Sequence, residues 1–273
     1  MIENSVLYDE IMSTVSMFDG NEYPETHEYL LSIVDLEEET VEESPLDIVN
    51  VVMSLDKPMK FPPFVIEFLT GLLNVEIGDG NDDAMNNLGA FHYDGSRGFE
   101  QSFAKSVYYY DMAAACGNVY AQENLGYCYY YGRNVPVDYE KAFHYYALGA
   151  FNLRPISLYK IGDMYLNGFY VKKNEKEAYR IYNRCLQLIN KENENFVAGP
   201  VYLRLGNLLL NGIGADVDTK TALVCYQKAE YFLFNMVEDG NDMYRHSLLN
   251  AIEGAEHARR KLLADLPDSD WPF

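Results

Sequence analysis

Apolar and polar residues alternate with a helical period over much of the chain. Within residues 121–150, Ala121, Leu125 and Tyr129 are spaced four apart, so they fall on one face of a helix. A second helix is predicted to start at Asp138, because aspartate is a favourable N-cap. This stretch therefore predicts two short amphipathic helices joined by a turn.

The same pattern recurs in four copies along the chain. Each copy has a glycine in its first helix, a second glycine six residues later, a small residue ten or eleven residues after that, and a tyrosine four residues further on. The first glycines are 36 residues apart from 126 to 162 and 44 apart from 162 to 206, so we place an insertion of about eight residues in the last copy. Self-similarity at this period predicts a helical solenoid. The repeat-defining residues are Gly89, Gly95, Gly126, Gly132, Ala142, Gly162, Gly168, Ala178, Gly206, Gly212 and Ala222.

The recurring glycines predict close packing between the two helices of each copy. A glycine inside a helix costs about 1 kcal/mol relative to alanine, so four recurrences require a compensating contact. We expect the backbone of the second helix to approach there, because a Cβ atom would block it. The second glycine follows the last periodic residue, where helices commonly end in a left-handed conformation.

The motif A-x-x-x-L-G-x-x-Y-x-x-G, followed by D-Y-E-K-A-x-x-Y-Y, resembles the Sel-one-like repeat family, a relative of the tetratricopeptide repeats. Residues 121–150 match the motif closely, and residues 84–118, 157–188 and 201–230 match it less fully. Ser106 replaces the small alanine of the first copy, and Leu186 replaces a second-helix alanine of the third.

The resemblance implies an all-α fold: a right-handed α/α superhelical solenoid of about four helix-pair repeats, with helical caps at both ends. It also implies a non-catalytic protein–protein interaction module, an adaptor or scaffold that binds a peptide or protein on its concave face. No single binding residue is shared across the family, so none is carried over to this chain.

Charge divides the chain into two regions. Residues 1–83 contain 20 acidic and 2 basic residues, a net charge of −18, whereas the remaining 190 residues hold 22 acidic and 19 basic residues, a net charge of −3. Apolar sets at helical spacing lie between the acidic residues, so a helical region is expected. We predict an acidic helical N-terminal cap at 1–83 with a degenerate half-repeat at 64–81, repeats at 84–237 (84–118, 119–153, 154–197 and 198–237), a C-terminal capping helix at 238–265 and a tail at 266–273.

The acidic region has two interpretations. Blocks of like charge most often serve solvation. The same charge also suits electrostatic docking to a basic partner, which would be sensitive to salt. The second interpretation gives an alternative function, an inhibitor or immunity-type protein that engages a basic partner through this region. Nucleic acid is not expected as a partner, because no basic patch is present to neutralise phosphates.

Candidate protein-binding residues come from the side of each first helix opposite its apolar stripe. At about 100° per residue, positions 123, 127 and 130 project away from Leu125. This mixed aromatic and polar surface suits a peptide or a partner helix, although part of it is also expected to pack against neighbouring repeats. The chain has 24 tyrosines, which suit either a layer between helices or a binding groove. The candidates are Asn86, Tyr93, Glu123, Tyr127, Tyr130, Tyr159, Asp163 and Asn207.

No catalytic or metal-binding pattern emerges from the sequence. The five histidines are scattered, without H-E-x-x-H spacing. Asp79, Asn81 and Asp83 match the first ligands of a calcium loop, but Ala84 and Ala90 stand where that loop needs glycine and glutamate. We therefore predict no enzyme activity, no cofactor and no metal.

Targeting signals are also not expected. The N-terminus is acidic where a secretory signal would be basic. The longest apolar run, 64–73, is interrupted by Glu67 and is too short to span a bilayer. The four cysteines lack disulfide or zinc spacing and are expected to be buried thiols. These features favour a cytoplasmic protein without membrane contact.

Overall fold

Helix pairs dominate the protein, as the repeat pattern predicts. The computed structural model describes residues 3–18, 22–57, 59–192 and 195–265. Within these ranges there are thirteen α-helices, three 3₁₀ turns and one two-stranded ladder. The chain packs as two compact units, residues 1–137 and 138–273, each with its own apolar core.

The first unit begins with helices that precede the repeats. Proline occupies the first position of three of them, where its missing N–H costs nothing. The helices of this unit are α1 (Asn4–Met17), α2 (Pro24–Ser32), α3 (Pro45–Val52), α4 (Pro63–Gly78), α5 (Asp82–Asp94), α6 (Phe103–Ala115) and α7 (Val119–Tyr131), with a 3₁₀ turn at Ser96–Gly98.

A short hairpin interrupts the N-terminal region. Strand β1 (Val34–Asp35) pairs antiparallel with β2 (Thr40–Val41). The Asp35 carboxylate accepts hydrogen bonds from the backbone N–H groups of Glu37 and Glu38, at 2.8 and 3.0 Å. A carboxylate that bonds its own backbone two residues on favours a turn over a helix. The expectation of an entirely helical cap therefore fails at residues 34–41.

The second unit contains the remaining repeat helices and the C-terminal helix. Within the range predicted for the C-terminal capping helix, 238–265, the structure has a 3₁₀ turn, Asp242–Tyr244, followed by a helix at Arg245–Ala264. The predicted tail, 266–273, lies outside the described residues. The helices of this unit are α8 (Tyr139–Phe151), α9 (Pro155–Asn167), α10 (Glu175–Glu192), α11 (Ala198–Asn211), α12 (Thr219–Glu238) and α13 (Arg245–Ala264).

The extra residues of the repeat array belong to the third copy. Helix α10 has 18 residues, whereas α6 and α8 have 13 each. A 3₁₀ turn at Asn195–Val197 then leads into α11. The longer spacing thus arises before the fourth copy begins, so our placement of the insertion in the last copy is wrong.

Glycine and short polar side chains set the helix boundaries in the repeats. Helices α5, α7, α9 and α11 each end at a left-handed glycine, with φ between 65° and 75°. Asp138 caps α8 by accepting a hydrogen bond from the Lys141 N–H at 3.0 Å, as predicted, and Asp218 caps α12 in the same way. In the fourth repeat, the glycine end of α11 and the Asp218 cap of α12 fix the turn that brings α12 back against α11.

Each unit buries a continuous apolar cluster. In the first unit, α1 to α4 supply most of it, including Ile11, Leu30, Ile48, Leu69 and Leu72, all at most 1% exposed. In the second unit the cluster runs from α10 through α13. The outward faces of α1, α4 and the first helices of the repeats lie outside these clusters and form surfaces of the protein.

Candidate functional site

A glycine in the first helix lies against a tyrosine in the second in three of the repeats. A Cβ atom placed on Gly89, Gly162 or Gly206 would come within 2.6–2.9 Å of the ring of Tyr110, Tyr182 or Tyr226, respectively. These tyrosines are at most 3% exposed. The close approach that the glycines permit is therefore made chiefly by a buried aromatic ring, not by the backbone that we expected.

The residue after this glycine differs between repeats. Asp163 follows Gly162 and accepts a hydrogen bond from the Tyr182 hydroxyl at 2.7 Å. Asn207 follows Gly206 and accepts one from the Tyr226 hydroxyl, also at 2.7 Å. In the third and fourth repeats, a polar side chain thus satisfies the hydroxyl of the packed tyrosine.

Asp163 is also the centre of a buried ionic network in the second unit. The Arg204 guanidinium donates to both of its carboxylate oxygens, through Nε to Oδ1 and through Nη2 to Oδ2, the latter at 2.8 Å. Arg204 also lies over the Tyr159 ring, 4.6 Å from its centroid, and donates to the Pro200 carbonyl. Bidentate pairing with further hydrogen bonds is the arrangement in which a buried ion pair is tolerated.

Lys160, on the same helix as Asp163, adds a buried cation to this network. Its side chain is 4% exposed, and its Nζ lies 4.8 Å from the centroid of the Tyr159 ring. Burial lowers the pKa of the Lys160 ammonium to about 8, because desolvation disfavours the charged form. The Asp163 carboxylate opposes this shift. The network is therefore a titratable part of the core of the second unit.

The first repeat has a cleft where the later repeats have a polar side chain. Ala90 follows Gly89 and is too short to reach the Tyr110 hydroxyl as Asp163 and Asn207 reach their tyrosines. The space beside Tyr110 remains open and has a volume of about 260 Å³. We call it the tyrosine cleft; it is lined by Ala90, Tyr93, Asp94, Tyr110, Asn124 and Tyr127.

Aromatic rings hold the walls of the tyrosine cleft. The Tyr93 ring packs edge-on against Tyr127 at 6.1 Å and against Phe103 at 5.1 Å between centroids. Tyr127 in turn packs on Tyr131 at 4.4 Å. Burial raises the pKa of the Tyr93 hydroxyl to about 12, so it remains a neutral donor and acceptor. The walls are thus pre-formed by packing.

Two polar residues, Asn124 and Asp94, also line the cleft. The Asn124 amide donates to the Asn86 side-chain oxygen at 3.1 Å, which fixes both amides. The Asp94 carboxylate lies at the exposed rim, and partial desolvation raises its pKa. The cleft therefore combines apolar walls with an amide at one position and a carboxylate at another.

The predicted binding residues have different environments. Asn86, Tyr93, Tyr127, Tyr130 and Tyr159 are half-buried, and Asn207 is exposed. Tyr93 and Tyr127 face each other in the tyrosine cleft, and Asn86 bonds to its lining residue Asn124. The structure brings these three together.

Glu123 and Asp163 are buried. They are only 6% and 5% exposed, so the expected position of these side chains on an open surface is wrong, whereas their role in binding a partner stays a prediction. The reason is that a first helix in a repeat array has neighbours on more than one side. Tyr159 is likewise occupied, because the Arg204 guanidinium covers its ring.

Lys160, Arg204 and Ala90 are not among the site residues predicted from the sequence. A signal was available for the two cations, since each immediately precedes the aliphatic residue before the helix glycine. Asn124 holds the same position in the second copy, and all three make polar contacts within their own units. Ala90 could have been recognised as the short residue where the third and fourth copies have Asp163 and Asn207.

The cysteines are free thiols of two kinds. Cys128, Cys185 and Cys225 are buried, as predicted, but Cys116 is exposed at the end of α6, so the prediction is wrong there. Burial raises the pKa of the Cys128 thiol to about 12 and that of Cys225 to about 11. High thiol pKa values make these two side chains poor nucleophiles.

The described residues form neither a metal-binding cluster nor a membrane-spanning helix. Within the described residues, no group of three or more His, Cys, Asp or Glu side chains is placed to hold a metal ion. No helix in that part of the chain is both long enough and apolar enough to cross a membrane.

The architecture defines the class of protein as an α-helical repeat protein, and comparison with known sequences specifies the family. The Sel1 repeat matches residues 82–118, 119–150, 155–184 and 200–230. These matches correspond closely to the helix pairs that carry the glycine–tyrosine pattern. The chain belongs to the Sel1 repeat family.

The chain is also similar to a known protein over part of its length, and to solved structures at low sequence identity. The chain is similar to the ERAD-associated E3 ubiquitin-protein ligase component HRD3B of Arabidopsis thaliana, with 35% identity over 108 residues, and this match spans 39% of the chain but only 17% of that protein. A Sel1 repeat protein from Oxalobacter formigenes has a similar fold, with a TM-score of 0.59 at 20% identity over 96% of this chain and 99% of that one.

A second solved structure is a protective antigen of uropathogenic Escherichia coli strains with an SLR fold. It aligns at a TM-score of 0.48 and 18% identity, over 93% of this chain and 56% of the antigen. Sel1 repeat proteins generally mediate protein–protein interactions.

Proposed function

We propose that the chain is a non-catalytic adaptor, and that its first unit binds a segment of a partner protein in the tyrosine cleft. The observation that carries the proposal is the presence of Ala90 at a repeat position where the third and fourth copies have longer polar residues that bond the packed tyrosine. The open space it creates is lined by residues of α5, α6 and α7.

The residues that line the tyrosine cleft are of types that commonly bind peptides. Tyrosine supplies a large contact area at little conformational cost and is enriched among residues that dominate binding energy. The open volume of about 260 Å³ beside the packed rings of Tyr93 and Tyr127 leaves room for one apolar side chain. Asp94 and Asn124 can then accept or donate hydrogen bonds to the flanking backbone, so the preferred segment carries an apolar residue beside a donor or a cation.

The similarity to HRD3B supports a role in protein assembly, since that protein is described as a component of an E3 ubiquitin-protein ligase. We extend to this chain only the partner-binding role and propose that it acts in the cytoplasm, where its free cysteines would remain reduced.

The experiment that tests the proposal closes the cleft without removing any of its walls. In Ala90→Asn, the new amide is positioned like Asn207 and should bond the Tyr110 hydroxyl. Peptides would be selected against the full chain from a displayed random library, and their affinities measured for each variant. We expect binding to weaken at least about tenfold, or about 1.4 kcal/mol, in Ala90→Asn.

The control is the same substitution at Ala104, which lies exposed on α6 away from the cleft. Ala104→Asn should bind the selected peptides as the unmodified chain does, and thermal melting should show that both variants fold. Peptides that bind Ala90→Asn as tightly as Ala104→Asn would refute the tyrosine cleft as the binding site.

A further inference from the structure

A second surface depression lies outside the repeats, between α1 and α4 of the first unit. Its volume is about 390 Å³. The α1 side consists of residues spaced three and four apart, and the α4 side has the same spacing. We call it the α1/α4 groove; its lining includes Val6, Thr14, Met17, Phe64, Phe68 and Gly71.

The floor of the groove is apolar and contains a notch. Thr14 and Phe68 are 6% and 7% exposed and form its base. Val6 and Met17, in contrast, are 43% and 55% exposed. At Gly71, in the interior of α4, a Cβ atom would have no other atom within 4 Å. No neighbouring contact requires a glycine at this position. The missing side chain leaves the groove open there.

The rim of the groove is acidic. Asp9 and Glu10 border it on α1, and Glu67 borders it on α4. All three carboxylates are exposed, and none has an ion-pair partner among the described residues. Residues 1–83 contain only Lys57 and Lys60 as basic residues against 20 acidic ones. The groove therefore presents uncompensated negative charge around an apolar floor.

We propose that the α1/α4 groove binds a basic amphipathic helix of a partner protein. Apolar side chains at i, i+3, i+4 and i+7 of such a helix fit a groove lined at the same helical spacing. Its lysines and arginines face Asp9, Glu10 and Glu67 across the rim, which raises the association rate and excludes acidic helices.

The dimensions agree with a helical occupant. From Val6 to Met17 the groove follows α1 for about 16 Å, or about three helical turns. One anchoring side chain of the partner enters the notch at Gly71. This site is separate from the tyrosine cleft, so either site can fail while the other stands. It also gives a specific form to the alternative predicted from charge, in which residues 1–83 engage a basic partner.

The test uses a synthetic helical peptide with leucines at i, i+4 and i+7 and lysines on its flanks, labelled with a fluorophore and titrated with the full chain. Gly71→Leu fills the notch; because leucine is a better helix former than glycine, the variant should fold at least as well. We expect it to weaken peptide binding at least tenfold. Gly78→Leu, the same change in open space at the end of α4, is the matched control and should bind normally.

Charge is tested separately. Asp9→Lys with Glu10→Lys and Glu67→Lys should abolish binding, whereas Glu28→Lys with Glu37→Lys and Glu38→Lys, exposed residues outside the groove, changes the net charge equally and should weaken binding much less. Added salt should weaken the wild-type complex.

Three results would overturn the proposal. The first is equal binding to Gly71→Leu and Gly78→Leu. The second is equal binding of a scrambled peptide of the same composition, which would indicate charge attraction without a groove. The third is concentration-dependent self-association that Gly71→Leu abolishes, because a second copy of the chain would then be the occupant.

Discussion

Close packing in the repeats depends on single glycine residues facing buried tyrosine rings. Gly162 is the tightest of these contacts, with a hypothetical Cβ atom 2.6 Å from Tyr182 Cε1. Tyr182 cannot readily move, because it is fully buried and its hydroxyl is bonded to Asp163, which in turn pairs with Arg204. One added methyl group would therefore strain a connected set of side chains.

We predict that Gly162→Ala lowers the free energy of unfolding by about 1–3 kcal/mol, the usual cost of overpacking a core. The direction of the change in the free energy of unfolding is the informative result. Alanine is the better helix former, and without the tyrosine contact it would stabilise α9 by up to about 1 kcal/mol. Denaturant unfolding followed by circular dichroism measures the change.

Gly71→Ala provides the control for that measurement. Gly71 also lies inside a helix, but a Cβ atom there meets no other atom within 4 Å. This substitution should leave stability unchanged or raise it by up to about 1 kcal/mol. A stabilised Gly162→Ala would show that the glycine–tyrosine contact does not limit packing.

At the scale of single helices, α9 differs from its counterparts in burying two charged residues. Lys160 and Asp163 lie one turn apart and are 4% and 5% exposed. Sequence periodicity predicted the helix and placed Asp163 on its surface, because a helical period alone does not show how many neighbours a helix has. Packing against α10 and pairing with the Arg204 side chain of α11, which the sequence did not specify, place that face in the core.

Other elements also differ in whether neighbouring residues or residues distant in the sequence determine them. The ends of α5, α7, α9 and α11 could be predicted, since a left-handed glycine terminates a helix by its own geometry. The hairpin at 34–41 could not, because it depends on Asp35 bonding its own turn and on the Asn4 side chain bonding Val41. The tyrosine cleft depends on Ala90, whose importance emerges only beside Tyr110.

The buried lysine of α9 should make stability depend on pH. The unfolded chain keeps Lys160 protonated up to about pH 10.5, whereas the folded protein releases that proton near pH 8. Between these values the unfolded state binds more protons, so this group's contribution to the free energy of unfolding rises with pH. Compared with Lys160→Met, the wild type should gain about 2 kcal/mol between pH 8 and 10.

This difference is measured by denaturant unfolding of both proteins across that range. Tyrosines with raised pKa, such as Tyr226 at about 12, lose their contribution only as pH rises above about 10, and they are common to both proteins. Parallel pH profiles for wild type and Lys160→Met would show that Lys160 keeps an ordinary pKa in the folded state.

For the whole molecule, charge is the property most directly predicted from the sequence. The net charge is −21, of which residues 1–83 carry −18. The structure adds where that charge is concentrated: beside the α1/α4 groove, and in the turn formed by Glu37 and Glu38. The sequence shows how many like charges folding must bring together. Only the packing of α1 on α4 shows that some of these charges surround an apolar surface.

This repulsion predicts that salt stabilises the protein. Screening shortens the reach of like charges from about 30 Å at 0.01 M salt to about 3 Å at 1 M. The melting temperature of the full chain should therefore rise as sodium chloride is increased across that range. Neutralising Glu28, Glu37 and Glu38 to glutamine, all exposed in the first unit, should raise the melting temperature at low salt and flatten its dependence on salt. General salting-out would act equally on both proteins. If the glutamine variant shows the same dependence of melting temperature on salt as the wild type, these carboxylates do not repel one another in the folded state. A melting temperature that falls with added salt would show that attractive ion pairs dominate.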